Sequence, residues 1–133
     1  MTYYLDSNVI IDMLRKNDQK IMERFDSVLP KDVKIPAMVM AELIAGANRG
    51  QDAKIKMRPL NRYFEMIEII PFDAKASEIY GRIWADPENK GKRIGTNDLM
   101  IAATVISRGG ILVTSNTKEF SRIADLHTED WRE

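Results

Sequence analysis

Three acidic side chains stand where an ordinary solvated surface does not put them. Asp6 directly follows Thr2-Tyr3-Tyr4-Leu5, a run of β-forming residues, and so sits at a strand end. Glu42 is the only charge in Ala37-Met38-Val39-Met40-Ala41-Glu42-Leu43-Ile44-Ala45, and its helical neighbours Met38, Val39, Ala45 and Gly46 are apolar or small. Asp98 opens Asp98-Leu99-Met100-Ile101-Ala102-Ala103-Thr104-Val105 on the same stripe as Ile101, Ala102 and Val105. Thr114, Asn116 and Glu119 follow a later apolar run and would lie at the same rim as Asp6. Burying a lone carboxylate is costly or forces protonation, so each acid needs a cation, a metal or dense hydrogen bonding. Each also has a plainer reading. Asp6 is equally a capping or turn aspartate, Glu42 a residue at a helix end that reaches water, and the later residues a polar loop. The helix dipole favours Asp98 at an N-terminus, although this explains its position along the helix and not its face.

Composition narrows the chemistry. The 133 residues include no cysteine and a single histidine, His127. Disulfides, thiolate nucleophiles, cysteine-ligated zinc, iron–sulfur clusters and multi-histidine sites are excluded, and a Ser-His-Asp triad would depend on His127 alone. Carboxylates gathered at one rim repel each other and stay ionised together only beside a cation. Without His or Cys ligands that cation is a hard divalent one, Mg²⁺ or Mn²⁺. Such an ion activates water and steadies charge on a phosphodiester. Lys plus Arg and Asp plus Glu are 20 each, so no global field attracts nucleic acid and any contact needs a local patch. Lys54, Lys56, Arg58 and Arg62 form one basic run, and Lys90, Lys92 and Arg93 another just before Asp98. Either could contact phosphates or be solvated surface. The eight methionines read as core filler, with Met38, Met40, Met57 and Met66 as an alternative partner surface. The chain starts without a signal peptide pattern and has no apolar run near the roughly 20 residues of a membrane span. A soluble, cytoplasmic protein without membrane contact is expected.

The elements that must position these residues alternate. Strands are expected at 2–5, 33–36, 68–71 and 111–114. Helices are expected at 7–15 with Ser7 as N-cap, 18–29, 37–47, 52–67 with a break or kink at Pro59, 73–84 and 97–108, with a helical turn at 118–123. Residues 86–95 read as a polar loop, and the residues after 123 as a tail ending at Trp131. Such alternation implies an α/β fold with a central parallel sheet, whose ligands bind beyond the carboxyl ends of the strands. Length, and the lack of repeats or linkers, point to a single three-layer α/β/α domain over 1–133.

The residues also resemble a known family. Asp6-Ser7-Asn8 after the first strand, Met40-Ala41-Glu42-Leu43 with Gly46-Ala47, and Ile94-Gly95-Thr96-Asn97-Asp98-Leu99-Met100-Ile101-Ala102-Ala103 resemble the PIN domain. Leu112-Val113-Thr114-Ser115-Asn116-Thr117-Lys118-Glu119-Phe120, with Leu126 and Glu129-Asp130-Trp131, resembles its VapC toxin branch. The resemblance implies a Mg²⁺- or Mn²⁺-dependent endoribonuclease, the toxin of a type II toxin–antitoxin pair, cutting tRNA or other structured RNA with metal-activated water. It implies Asp6, Glu42 and Asp98 as metal-binding and catalytic residues, with Glu119 as a further catalytic acid. Ser7, Thr114 and Asn116 would lie in the surrounding shell, and Lys90, Lys92 and Arg93 against RNA. A cognate antitoxin and a homodimer are the implied partners. Many PIN domains carry aspartate where this chain has Asn116, and an amide oxygen is the weaker ligand. Either Glu119 substitutes or a second ion enters with substrate. The rival reading is a PIN-like module that binds RNA or protein without cutting. Asn116 favours it, and three acids on apolar faces oppose it. Dehalogenase-type phosphatases need a second aspartate where Asn8 stands, and receiver domains need one after the second strand, which is missing.

Overall fold

The computed structural model describes residues 1–16, 18–89 and 94–133, so Lys90, Lys92 and Arg93 lie outside the described residues. Five short strands form one parallel sheet: β1 (Tyr3–Leu5), β2 (Val33–Pro36), β3 (Glu68–Ile70), β4 (Ile111–Val113) and β5 (His127–Glu129). Their order is β3-β2-β1-β4-β5, with Tyr3 paired to both Val33 and Ile111, Pro36 to Ile70 and Val113 to Glu129. The chain begins in the middle of the sheet, winds outward through β2 and β3, then returns to the other side of β1 for β4 and β5. Winding therefore reverses between β1 and β4, and a crevice opens at their carboxyl ends. The helices flanking the sheet are α1 (Ser7–Arg15), α2 (Gln19–Ser27), α3 (Ala37–Asn48), α4 (Ala53–Met66), α5 (Ala74–Ala85), α6 (Thr96–Arg108) and α7 (Thr117–Phe120). Strands covered on both faces carry near-continuous apolar runs, and Tyr4, Leu5, Ile35, Leu112 and Val113 are all buried. Ile10, Met13, Val39, Leu43, Ile101 and Val105 close on them from the helices. The expected α/β architecture is present.

Three expectations need correction. The N-cap of α1 is Asp6, whose Oδ1 accepts from the Ser7 amide at 2.8 Å, and Ser7 is the first helical residue. The strand-end aspartate is thus also the cap, because it is the last extended residue before the turn. Pro59 does not break α4. It leaves the carbonyl of Ile55 without a helical partner, but Ile55 is exposed and water can serve that oxygen. The supposed tail contains β5, whose residues His127-Thr128-Glu129 lack any apolar alternation because the strand lies at the sheet edge. Polar edges of this kind discourage pairing with other chains. Just beyond it Trp131 is buried, edge-on to Tyr3 at 5.6 Å and donating Nε1–H to Glu129 at 3.2 Å. Arg24 reaches Glu129 at 2.7 Å and lies over the Trp131 ring. The other caps are as expected: Asp18 accepts from Ile21, Asp73 from Ala76, and Gly109 ends α6 at φ 70°.

Gly110 is fixed by space. A Cβ there would collide with the Tyr4 ring and lie 2.9 Å from the Thr2 carbonyl oxygen, where β1 and β4 begin to pair. Gly81, inside α5, has open space where a Cβ would go. Gly110→Ala is expected to lower stability by about 1–3 kcal/mol. Gly81→Ala should instead raise it by about 0.5–1 kcal/mol, as alanine is the better helix former. Urea unfolding of the two variants beside the parent checks both signs.

Candidate active site

The carboxylate of Asp6 is held at the point where the winding reverses. Its backbone N–H donates to Val113 O at 3.0 Å, joining the end of β1 to the end of β4. Its Oδ1 takes the Ser7 amide, and its Oδ2 accepts Thr114 Oγ1–H at 2.8 Å across the crevice. Asp6 is 5% exposed and Thr114 fully buried, so this hydrogen bond has little competition from water. Thr114 is itself fixed from two sides. Its N–H donates to Glu129 O of β5 at 3.0 Å, and its hydroxyl accepts the Asn116 amide at 3.0 Å.

Ser7, one residue into α1, links this carboxylate to the next. Its Oγ–H donates to Glu42 Oε1 at 3.1 Å and lies 3.5 Å from Asp6 Oδ1. Glu42 reaches this position because Val39, Leu43 and Ala47 bury one face of α3 and leave Glu42 at its edge, half-buried. Asp98 enters from the first turn of α6, beside buried Leu99. A helix N-terminus favours an anion, yet the Asp98 carboxyl is pushed up to about 6. Burial is the first cause, followed by the negative charges of Asp6, Glu42 and Glu119 in that order. Four acids, from the β1–α1 junction, α3, α6 and α7, therefore share one electrostatic environment. Glu119 also meets Arg122 at 3.5 Å, one turn along the chain.

Of the residues expected at the site, Asp6, Ser7, Glu42 and Thr114 are joined by hydrogen bonds, and Asp98 lies within electrostatic reach of Asp6, Glu42 and Glu119. Asn116 lies at its rim, exposed, and its side chain does not cap α7. The Arg122 partner of Glu119 and the tie of Thr114 to β5 have no signal in the sequence. Arg122 sits three residues from Glu119 in a segment read only as a helical turn, and β5 is polar.

The donor set suits a hard divalent cation. Among the described residues no three carboxylates converge closely enough to ligate one ion by themselves. Mg²⁺ and similar ions keep several waters and are commonly held by one or two carboxylates, which this spacing permits. The remaining acids would act through that water.

Known proteins place this geometry. The PIN domain family matches residues 3–126. Ribonuclease VapC1 of Haemophilus influenzae strain R2866 is 36% identical over 133 residues, covering 98% of both chains. The tRNA(fMet)-specific endonuclease VapC of Shigella flexneri is 34% identical over 131 residues, again covering 98% of both. Among solved structures, VapBC2 from Rickettsia felis bound to a DNA fragment from their promoter superposes with a TM-score of 0.89 at 34% identity, covering 98% of this chain and 99% of that one.

The raised Asp98 group makes a prediction for the metal-free protein. A carboxyl that binds its proton more tightly when folded contributes stability fully present below its unfolded value near 3.8 and lost as pH rises through about 6. Asp98 is half-exposed, so screening reduces the penalty at neutral pH to about 1–2 kcal/mol. In EDTA, Asp98→Asn is expected to stabilise the fold by that amount at pH 7.5 and negligibly at pH 4. Urea midpoints at the two pH values test it, and an equal gain at both would show that packing rather than charge is responsible.

Proposed function

We propose, for a chain that belongs to the PIN-domain family and within it to the VapC ribonucleases, that RNA hydrolysis takes place in the crevice of Asp6, Glu42 and Asp98 with a divalent cation, Mg²⁺ or Mn²⁺. The observation that carries this reading is the shared field of four acids around Asp98, anchored by the Thr114–Asp6 hydrogen bond. Asp6 and Asp98 would hold the ion, directly or through water, and Glu42 would hold it or orient the attacking water. A bound divalent ion there supplies Lewis acidity toward the phosphodiester and makes water a better nucleophile. Asp6 has both oxygens fixed by donors and so presents a preset direction. Ser7 keeps Glu42 turned toward Asp6. Asp98 must lose its proton to take part, and a cation nearby favours that loss. Glu119, with its charge shared with Arg122, adds negative potential at Asp98. In-line attack with release of a 5′-phosphate is the chemistry such an acid set supports.

The protein is an RNA-cleaving enzyme and the toxin half of a toxin–antitoxin pair, in line with its VapC relatives and VapBC neighbours. We assign tRNA as its substrate class on the likeness to the tRNA(fMet)-specific endonuclease. A homodimer remains part of this proposal through the family alone. No helix among the described residues is long and apolar enough to cross a membrane.

Antitoxin-free protein incubated with tRNA in Mg²⁺, in Mn²⁺ and in EDTA tests the proposal. Cleavage should require the metal. Asp6→Asn and Asp98→Asn should each lower kcat/KM about a hundredfold or more, and Thr114→Val, which keeps shape but removes the donor to Asp6, about ten- to a hundredfold. Cleavage that persists in EDTA or in either acid variant would remove this crevice from the chemistry. Intact RNA with folded, metal-loaded protein would move the assignment to a binding module.

A further inference from the structure

A groove of about 470 Å³ runs from the crevice between α1, α3 and α4. Ser7 and Glu42 form its inner end, joined by their 3.1 Å hydrogen bond. Helical periodicity sets what lies further along. On α1, Ser7, Ile11 and Arg15 follow one another every four residues, and along α3, Glu42 and Gly46 are followed by Arg49 at the C-cap. The inner end is therefore acidic and hydroxylic, the middle apolar, and the outer end cationic. Arg15 and Arg49 stand about two helical turns, roughly 10–12 Å, beyond Ser7 and Glu42. Lys56 of α4 completes the outer end, its Nζ donating to the Arg49 carbonyl oxygen at 3.0 Å. Leu14 and Leu60 line the floor between them. Glu42 is the only acid lining the groove, and among the described residues none of the three cations has a carboxylate partner.

We propose that this groove is the track of the substrate strand on one side of the cut, with Arg15, Arg49 and Lys56 gripping backbone phosphates and the apolar floor receiving an unstacked nucleotide. The inference rests on the nuclease reading of the crevice and names the residues that hold its substrate. Two observations select RNA as the occupant. The groove is continuous with the acids, so a strand whose scissile phosphate lies there can leave directly along it. Its charge is also complementary: a polyanion drawn into a cluster of acids needs cations close by, and this chain has zero net charge with which to supply them from afar. Arginine planes additionally stack on unpaired bases. The cations start about two helical turns from the acids along the backbone, and the contribution assigned to them is to hold the strand and not to perform the chemistry.

Arg15→Gln, Arg49→Gln and Lys56→Gln test the track, beside Lys20→Gln and Lys75→Gln on exposed faces of α2 and α5. Two readouts are used on antitoxin-free protein. The first is cleavage of tRNA, where each groove variant should raise KM at least fivefold with kcat changed less than twofold. The second is fluorescence anisotropy of a 12-nucleotide oligouridylate in EDTA, where each groove variant should lower the slope of log affinity against log salt by about 0.7. Controls should match the parent in both. Unchanged KM and unchanged slope in the groove variants would overturn the proposal, as would variants that lose only inhibition by the antitoxin, which would make the groove a peptide site. If the parent protein failed to cleave at all, the nuclease reading would fall, while the binding slopes would still decide whether the groove holds RNA.

Discussion

Mutual repulsion among Asp6, Glu42, Asp98 and Glu119 is the constraint around which the molecule is arranged. Flexible carboxylates would relieve such repulsion by turning into water. Here Asp6 cannot turn, since one oxygen takes the Ser7 amide and the other the Thr114 hydroxyl, and its backbone is tied to Val113. Asp98, buried first of all and then facing these charges, answers by holding a proton to about pH 6. A proton or a nearby cation removes that penalty.

The support for this arrangement extends outward to residues with no chemistry of their own. Thr114 holds Asp6 and is held by Glu129 of the edge strand. Glu129 is held in turn by Arg24 from α2 and by Trp131, whose ring packs on Tyr3 of the central strand. The C-terminal segment therefore closes a loop of contacts that starts and ends on β1. Its polarity conceals this role, because its contribution lies in backbone ladder bonds and one buried indole and not in a stripe of apolar side chains. A similar separation of roles appears on α3, where Val39, Leu43 and Ala47 bury the helix while Glu42, beside them, is left at the edge to meet Ser7.

How much of this could be read in the sequence follows from the range of the interactions. Glu42 and Asp98 are legible because a lone charge on an apolar helix face is a local anomaly, visible within one or two turns. Asp6 is legible from its strand end, although its cap role falls one residue earlier than the serine that looks like the cap. The parallel sheet follows from alternation. What escapes is set by pairings across long sequence distances or by solvent. β5 depends on Val113 and its neighbours for definition, the continuity of α4 at Pro59 depends on the exposure of Ile55, and the placement of Arg15 beside Arg49 requires α1 and α3 to be brought together. Lys56 is visible as part of a basic run, but nothing local distinguishes it from Lys54 or Arg58.

Affinity for RNA and the cutting of RNA make opposite demands on charge, and the fold answers by separating them along two helices. A site that gathers acids to hold a cation repels a polyanion, and a single divalent ion does not offset four carboxylates. Placing further cations among the acids, beyond the Arg122 that meets Glu119, would form more ion pairs and thereby weaken the hold on the metal. Setting Arg15 and Arg49 about two turns along from Ser7 and Glu42, with Lys56 of α4 beside Arg49, limits that exchange. At that distance water screens Arg15, Arg49 and Lys56 from the crevice within roughly a Debye length at physiological salt, while each remains available to a phosphate that touches it. The packing of α1, α3 and α4 fixes the backbone positions at both ends of this gradient, acids at one and cations at the other.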